Sequence, residues 1–255
     1  MGLSACNPAS DSLLPLRSHW LLNLYPEAAE AGGCWRKPGP GVVQSRREPD
    51  LERAAAEAVR RARGKIRRYG VANRLNRLGT LTYAGSGCHE PAQLREDVAG
   101  FFKALRPNLG GNAFPYVWVP EWHPGGHGLH VHFAVGRYVG QTLIRDTWER
   151  GHVHIKLLGD LPVGSGTVGE ARLAARYLSK YVGKGLDDER RQSGLHRYEV
   201  AQGFQPEQIA LIGRTEEGVI AQASERMGGP PEQVWRSSSV EGWHGPPACW
   251  VAWPD

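Results

Sequence analysis

Between residues 50 and 187 the apolar positions follow two rhythms, one helical and one alternating. Leu51, Ala55, Ala58, Ala62 and Ile66 recur every three or four residues, which predicts a helix from a cap at Asp50 to about Tyr69, with arginines covering its other faces. Leu78–Tyr83, with its β-branched and aromatic content, predicts a strand. Pro91 opens a second helix to about Leu105, with Leu94, Val98, Phe101, Phe102 and Leu105 spaced for burial. Phe114–Trp122 and Leu129–Val135 read as strands of a hairpin around Pro124-Gly125-Gly126. A short helix at Gln141–Arg150 and a strand at His152–Leu157 follow. Thr167-Val168-Gly169-Glu170 forms a capping box for a last helix, which reaches Lys184 before Gly185. Strand-helix-strand twice, joined by a hairpin, predicts an α+β domain with a ferredoxin-like antiparallel sheet (βαββαβ) and flanking helices over residues 50–187. Residues 1–49, rich in Pro and Gly with one apolar patch at Trp20–Leu24, read as an N-terminal extension. Residues 188–255 read as a C-terminal extension whose fold the pattern leaves open.

Charge adds a partner class. The 255 residues carry a net charge of +5, with a pI near 9.1. Between Arg46 and Arg77, eleven basic residues face four acidic ones, so this segment alone exceeds the surplus of the whole chain. Arg60, Arg61, Arg63, Lys65, Arg67, Arg68 and Arg74 are thus candidates for contact with a DNA backbone, and the competing reading is a solvated helix face. Trp118, Trp122 and Trp148 either stack on bases or fill the core. The four cysteines are scattered, without a Cys-x-x-Cys pair. This argues against a disulfide scaffold or zinc ribbon and for a reducing cytosol. No apolar run is long enough to span a membrane, no secretory signal opens the chain, and no phosphate-binding Gly-rich loop occurs.

Two constellations carry chemistry. His130-Val131-His132 puts two imidazoles on one face of a strand, and Glu121 stands across the hairpin from them. Two imidazoles and a carboxylate suit Mg²⁺ or Mn²⁺. His123 and His127 compete as a third ligand or touch DNA, and His152/His154 read as residues lining a sheet face. The second constellation is Tyr177-Leu178-Ser179-Lys180-Tyr181-Val182-Gly183-Lys184. Its two tyrosines and two lysines share a helix face, while Leu173, Leu178 and Val182 supply apolar packing beside it. At pH 7 roughly one tyrosine in a thousand is ionised, so a tyrosine nucleophile needs the ammonium of Lys180 or Lys184 nearby.

In this order, these motifs resemble the rolling-circle replication initiators of the HUH endonuclease superfamily, of the two-tyrosine type seen in single-stranded DNA phages and actinobacterial plasmids. The resemblance spans roughly residues 65–200. Thr80-Leu81-Thr82 matches the family's first motif, His130 and His132 the second, and Tyr177, Lys180, Tyr181 and Lys184 the third, with Glu121 in the position of a third metal ligand. Conjugative relaxases carry their tyrosine before the histidines; here it follows them.

The resemblance implies an HUH endonuclease fold related to RRM-like sheets. It implies site-specific nicking and joining of single-stranded DNA at an origin hairpin through a 5′-phosphotyrosine, with Mg²⁺ or Mn²⁺ and with Thr80 and Thr82 near the DNA. It further implies a separate helicase and a plasmid- or phage-encoded protein in a bacterial cytoplasm, with no membrane partner. Three other readings stand beside it: a transposase of the same chemistry, a non-catalytic DNA-binding replication regulator, and a metal hydrolase that uses activated water.

Overall fold

The computed structural model describes residues 18–37, 51–156, 167–183 and 198–254. Among them the chain is α+β, with two five-stranded antiparallel sheets and five α-helices. It divides into two compact units, one built from Met1–Glu48 with Gln208–Pro254, the other from Pro49–Glu207. No described helix is long and apolar enough to cross a membrane.

The described residues open on a hairpin, β1 (His19–Tyr25) and β2 (Glu30–Arg36). The larger unit follows. Its elements are α1 (Leu51–Ala72), β3 (Arg77–Tyr83), α2 (Pro91–Asn108), β4 (Tyr116–Trp122), β5 (Leu129–Val135), α3 (Gln141–Trp148), β6 (Gly151–Lys156), α4 (Val168–Gly183) and β7 (Glu199–Val200). The chain then returns to the first unit with β8 (Ile209–Gly213), α5 (Glu216–Met227), β9 (Gln233–Arg236) and β10 (Ala248–Ala252).

The first unit departs from the sequence reading. Residues read there as two extensions pair with each other in one sheet, of order β8-β1-β2-β10-β9. The Trp20–Leu24 patch is the middle of β1. Trp20, Leu22 and Leu24 alternate into a core with Leu211, Val219, Ala223, Val251 and Trp253. The helix over this core starts at Thr215, whose hydroxyl accepts from the Gly218 amide at 3.0 Å, and stops at Gly228 (φ 79°).

In the larger unit the strands run β6-β3-β5-β4-β7, every pair antiparallel. Numbering the first four by their place in the chain, the spatial order is 4-1-3-2. Each face of this sheet has its own core. On one, Leu81, Trp118, Val131 and Phe133 meet Val98, Phe101 and Phe102 of α2 and Ile144 and Trp148 of α3. On the other, Leu78, Val117, Val119 and Ala134 meet Ile66 and Tyr69 of α1 and Ala174, Leu178 and Val182 of α4. β5 is central and covered on both sides, so all seven of its residues are buried.

Burial settles two of the tryptophans: Trp118 and Trp148 are core residues, closed to stacking on bases, whereas Trp122 is half-buried. The boundaries shift by a few residues from the sequence pattern, and Asp50, Lys184 and Gly185 lie outside the described residues. Pro107 lies inside the last turn of α2. Gly79 on β3 sits against the Phe133 ring so closely that an added methyl group would collide with it. Gly79→Ala is therefore expected to destabilise the protein by about 1–3 kcal/mol in chemical denaturation; an unchanged midpoint would contradict this packing.

Candidate metal and tyrosine site

The register of three strands assembles the first constellation. β5 lies between β3 and β4, so Thr82, His130 and Glu121 form one row across the sheet, and Thr80, His132 and Val119 the next. Residues two apart on β5 share a face, and Glu121 is the direct cross-strand neighbour of His130. Three atoms converge as a result. Glu121 Oε2 lies 3.0 Å from His130 Nε2 and 2.7 Å from His132 Nε2, and the two Nε2 atoms lie 3.2 Å apart. The three side chains are only between 7% and 12% exposed.

A carboxylate and two neutral imidazoles fit this arrangement poorly. If both Nε2 atoms carry hydrogens to serve the carboxylate, those hydrogens face each other across the contact between the imidazoles. If one is bare, it meets a carboxylate oxygen lone pair to lone pair. A single cation resolves all three contacts. Ligands about 2.1 Å from an octahedral ion, at right angles, stand about 3.0 Å apart, close to the observed spacings. Among the described residues this is the one group of three such side chains able to hold a metal ion.

His132 Nδ1 faces Thr80 Oγ1 at 3.0 Å. A cation on Nε2 leaves the proton on Nδ1, which then donates to the threonine and fixes the ring. His130 Nδ1 is buried without a hydrogen-bond partner. His123 and His127 lie outside the triad. The rings of His123 and His130 are 5.5 Å apart, and His123 Nδ1 already accepts from the Gly125 amide at 3.0 Å. His152 and His154 are exposed on β6, opposite Thr82 and Thr80, and lie outside the triad as well.

Helix α4 brings the tyrosines to this face. Ala171, Ala174, Leu178 and Val182 are among its buried residues, whereas Leu173 is 42% exposed and does not supply the packing its position suggested. Small residues let the helix lie close to the sheet. The Tyr181 ring stacks on His132 with centroids 3.5 Å apart and planes 17° from parallel. The Tyr177 ring stands 6.5 Å from His132, nearly perpendicular. Tyr181 Oη donates to Tyr177 Oη at 2.6 Å. Burial raises the Tyr181 pKa, and its hydrogen bond to Tyr177, the nearby Tyr177 charge and Glu121 push it further the same way. Lys180 Nζ is 5.8 Å from the Tyr177 ring centre; Lys184 lies outside the described residues.

The basic residues of α1 divide into two sets. Arg60, Arg61, Arg63 and Lys65 are exposed, whereas Arg67, Arg68 and Arg74 are half-buried. Arg63 Nε donates to the Ser179 carbonyl of α4 at 3.1 Å, and Arg74 Nη1 to the Val71 carbonyl at 2.6 Å. These two arginines therefore have work within the fold. Arg61 and Lys65 line an open cleft of about 630 Å³ with Arg95, Tyr198 and Glu199.

One residue at the site escaped the sequence reading. Lys156 Nζ is 5.2 Å from the Tyr177 ring centre. Its signal was strand parity, since it follows His152 and His154 at every second position. The half-buried Thr80 has the most direct test: Thr80→Val should weaken Mn²⁺ binding about 10–100-fold, measured as free ion by electron paramagnetic resonance, with the fold unchanged. Undiminished affinity would contradict a positioning role.

Residues 76–186 match the family described as Replication-associated protein ORF2/G2P. That segment runs from just before β3 past the end of α4, so it contains Glu121, both histidines and both tyrosines. The match supports a replication initiator family and, with it, an interaction with DNA. No curated protein and no solved structure matches the chain.

Proposed function

We propose that the chain is a site-specific single-stranded DNA nicking and joining enzyme of the HUH type, which initiates and terminates rolling-circle replication. One observation carries the reading: two adjacent tyrosines stand against a buried Glu-His-His cluster whose ligand atoms converge as if on one metal ion. The 4-1-3-2 strand order supports a ferredoxin-like catalytic domain over residues 50–187, and the family match supports a role in replication.

In this reading Glu121, His130 and His132 hold Mg²⁺ or Mn²⁺, which when bound polarises the scissile phosphate and stabilises the leaving oxygen. Everything else is done by the chain. A tyrosine oxygen attacks phosphorus, the bond to the 3′-oxygen breaks, and the DNA stays on the protein as a 5′-phosphotyrosine. The phenol loses its proton and the 3′-oxygen gains one, leaving a 3′-hydroxyl to prime synthesis. Lys180 holds negative charge near Tyr177, and Lys184 is proposed to do the same near Tyr181. With a second tyrosine within hydrogen-bonding distance, one can hold the first 5′ end while the other attacks the regenerated site. Thr80 steadies His132, and Thr82 lines the same face. Arg60, Arg61 and Lys65 offer the DNA backbone exposed cationic side chains, Arg61 while paired with Glu57 at 3.6 Å, and Arg63, Arg67, Arg68 and Arg74 add to the same basic segment. The partners are an origin hairpin and a separate helicase, in a bacterial cytoplasm.

The test is a covalent adduct. With Mn²⁺ and a pool of random single strands labelled at the 3′ end, the chain should become labelled in denaturing gels. Chelation or the Tyr177→Phe/Tyr181→Phe pair should abolish the label, and an adduct that survives the double substitution refutes the reading. Affinity for the same pool should fall steeply with salt, and Arg60→Ala/Arg61→Ala/Lys65→Ala should flatten the slope by about two to three phosphate contacts.

A further inference from the structure

We propose that Lys156 is a catalytic residue for Tyr177: it holds one non-bridging oxygen of the phosphate that Tyr177 attacks, on the side away from Glu121, His130 and His132. This inference rests on the nicking reading and sharpens it, because it makes the two tyrosines chemically unequal.

The geometry comes from strand parity and helix placement. On β6, His152, His154 and Lys156 stand opposite Thr82, Thr80 and Leu78 of β3, and β3 in turn faces His130, His132 and Ala134 of β5. Lys156 is therefore on the same sheet face as the Glu-His-His cluster, two strands away, or about 10 Å. α4 packs on β4 and β5, and the three β6 side chains are exposed. The Tyr177 ring spans the gap, 6.5 Å from the His132 ring on one side and 5.2 Å from Lys156 Nζ on the other. The Tyr181 ring sits elsewhere, although its hydroxyl oxygen is only 2.6 Å from that of Tyr177. It lies flat on His132, and its hydroxyl hydrogen points at Tyr177 Oη.

A phosphodiester has two non-bridging oxygens, and both gain charge as the tyrosine oxygen approaches. When Tyr177 attacks, the cluster side faces one of them and the Lys156 ammonium can reach the other. Lys180, 5.8 Å from the same ring, is carried by the helix that carries the nucleophile. Lys156 is carried by the sheet that carries the cluster, so strand register sets where its backbone stands relative to Glu121, His130 and His132. A cation fixed where charge develops lowers the barrier without reorganising during the step. The step balances as before: the phosphorus–Tyr177 bond forms, the bond to the 3′-oxygen breaks, and one proton passes from phenol to 3′-hydroxyl by way of solvent.

The experiment uses the full chain with Mn²⁺ and the 3′-labelled random single strands, in two backgrounds that each keep one tyrosine. In Tyr181→Phe, where Tyr177 reacts, adding Lys156→Gln should slow adduct formation about 100-fold, and Lys156→Arg should restore most of the rate. In Tyr177→Phe, where Tyr181 reacts, the same Lys156→Gln should cost at least ten times less. Equal losses in both backgrounds would make Lys156 a general DNA contact and overturn the assignment, as would no loss in the first. An adduct from neither background, nor from the unsubstituted chain, overturns the nicking reading and this proposal with it. Retention of the unlabelled strands on immobilised protein reports binding separately, so a loss of rate with binding intact points to the chemical step.

Discussion

The approach of one carboxylate oxygen and two imidazole nitrogens to within 3.2 Å of one another is the constraint from which the larger unit is best understood. Such an approach, nine-tenths buried, leaves at least one unfavourable contact between neutral imidazoles and a carboxylate, and becomes favourable around a cation. Packing holds it in place. β5 lies between two strands and is covered on both faces, which buries His130 and His132, and the register with β4 sets Glu121 directly beside His130. The Thr80 hydroxyl completes the support from the other neighbouring strand.

The same packing decides what stands over the cluster. α4 meets the sheet through alanines and Leu178, and α1 packs beside it on the same sheet face, where Gly70 faces Ala175. A helix seated this closely can lay one tyrosine ring flat on a histidine of the cluster and turn the next, one helical turn earlier, toward β6. The inequality of Tyr177 and Tyr181 thus follows from where the helix sits. Nothing in the repeated Tyr-x-x-Lys spacing foretold it.

Much of this unit was legible in the sequence because its elements are long and strongly periodic. The stripe of α2, the hairpin of β4 and β5 and the capping box before α4 each announce themselves within a short window. Histidines two apart on a strand, and tyrosines four apart on a helix, share a face by local geometry alone. The rest depended on pairings that no window contains. The sheet of the first unit is built from segments separated by the whole larger unit, and its late strands are only four or five residues long, so β1 read as an isolated apolar patch. Leu173 has the right chemistry for the core, but it falls on the exposed side of α4. Lys156 became a site residue only once the register of β6 against β3 was known, and Arg63 and Arg74 looked like free cations until their carbonyl partners appeared.

The central claim is that a tyrosine of α4 becomes covalently joined to DNA at the Glu-His-His cluster. The sequence makes this unusually direct to examine, because trypsin cleaves after Arg176, Lys180 and Lys184 and so releases Tyr177 and Tyr181 in separate four-residue peptides. After reaction with single-stranded DNA and Mn²⁺, nuclease trimming and tryptic digestion, mass spectrometry should find a nucleotide 5′-phosphate on the Tyr177–Lys180 peptide, the Tyr181–Lys184 peptide, or both. The modification should disappear in Glu121→Ala. A nucleotide on any other peptide, or an undiminished yield in Glu121→Ala, would contradict the account.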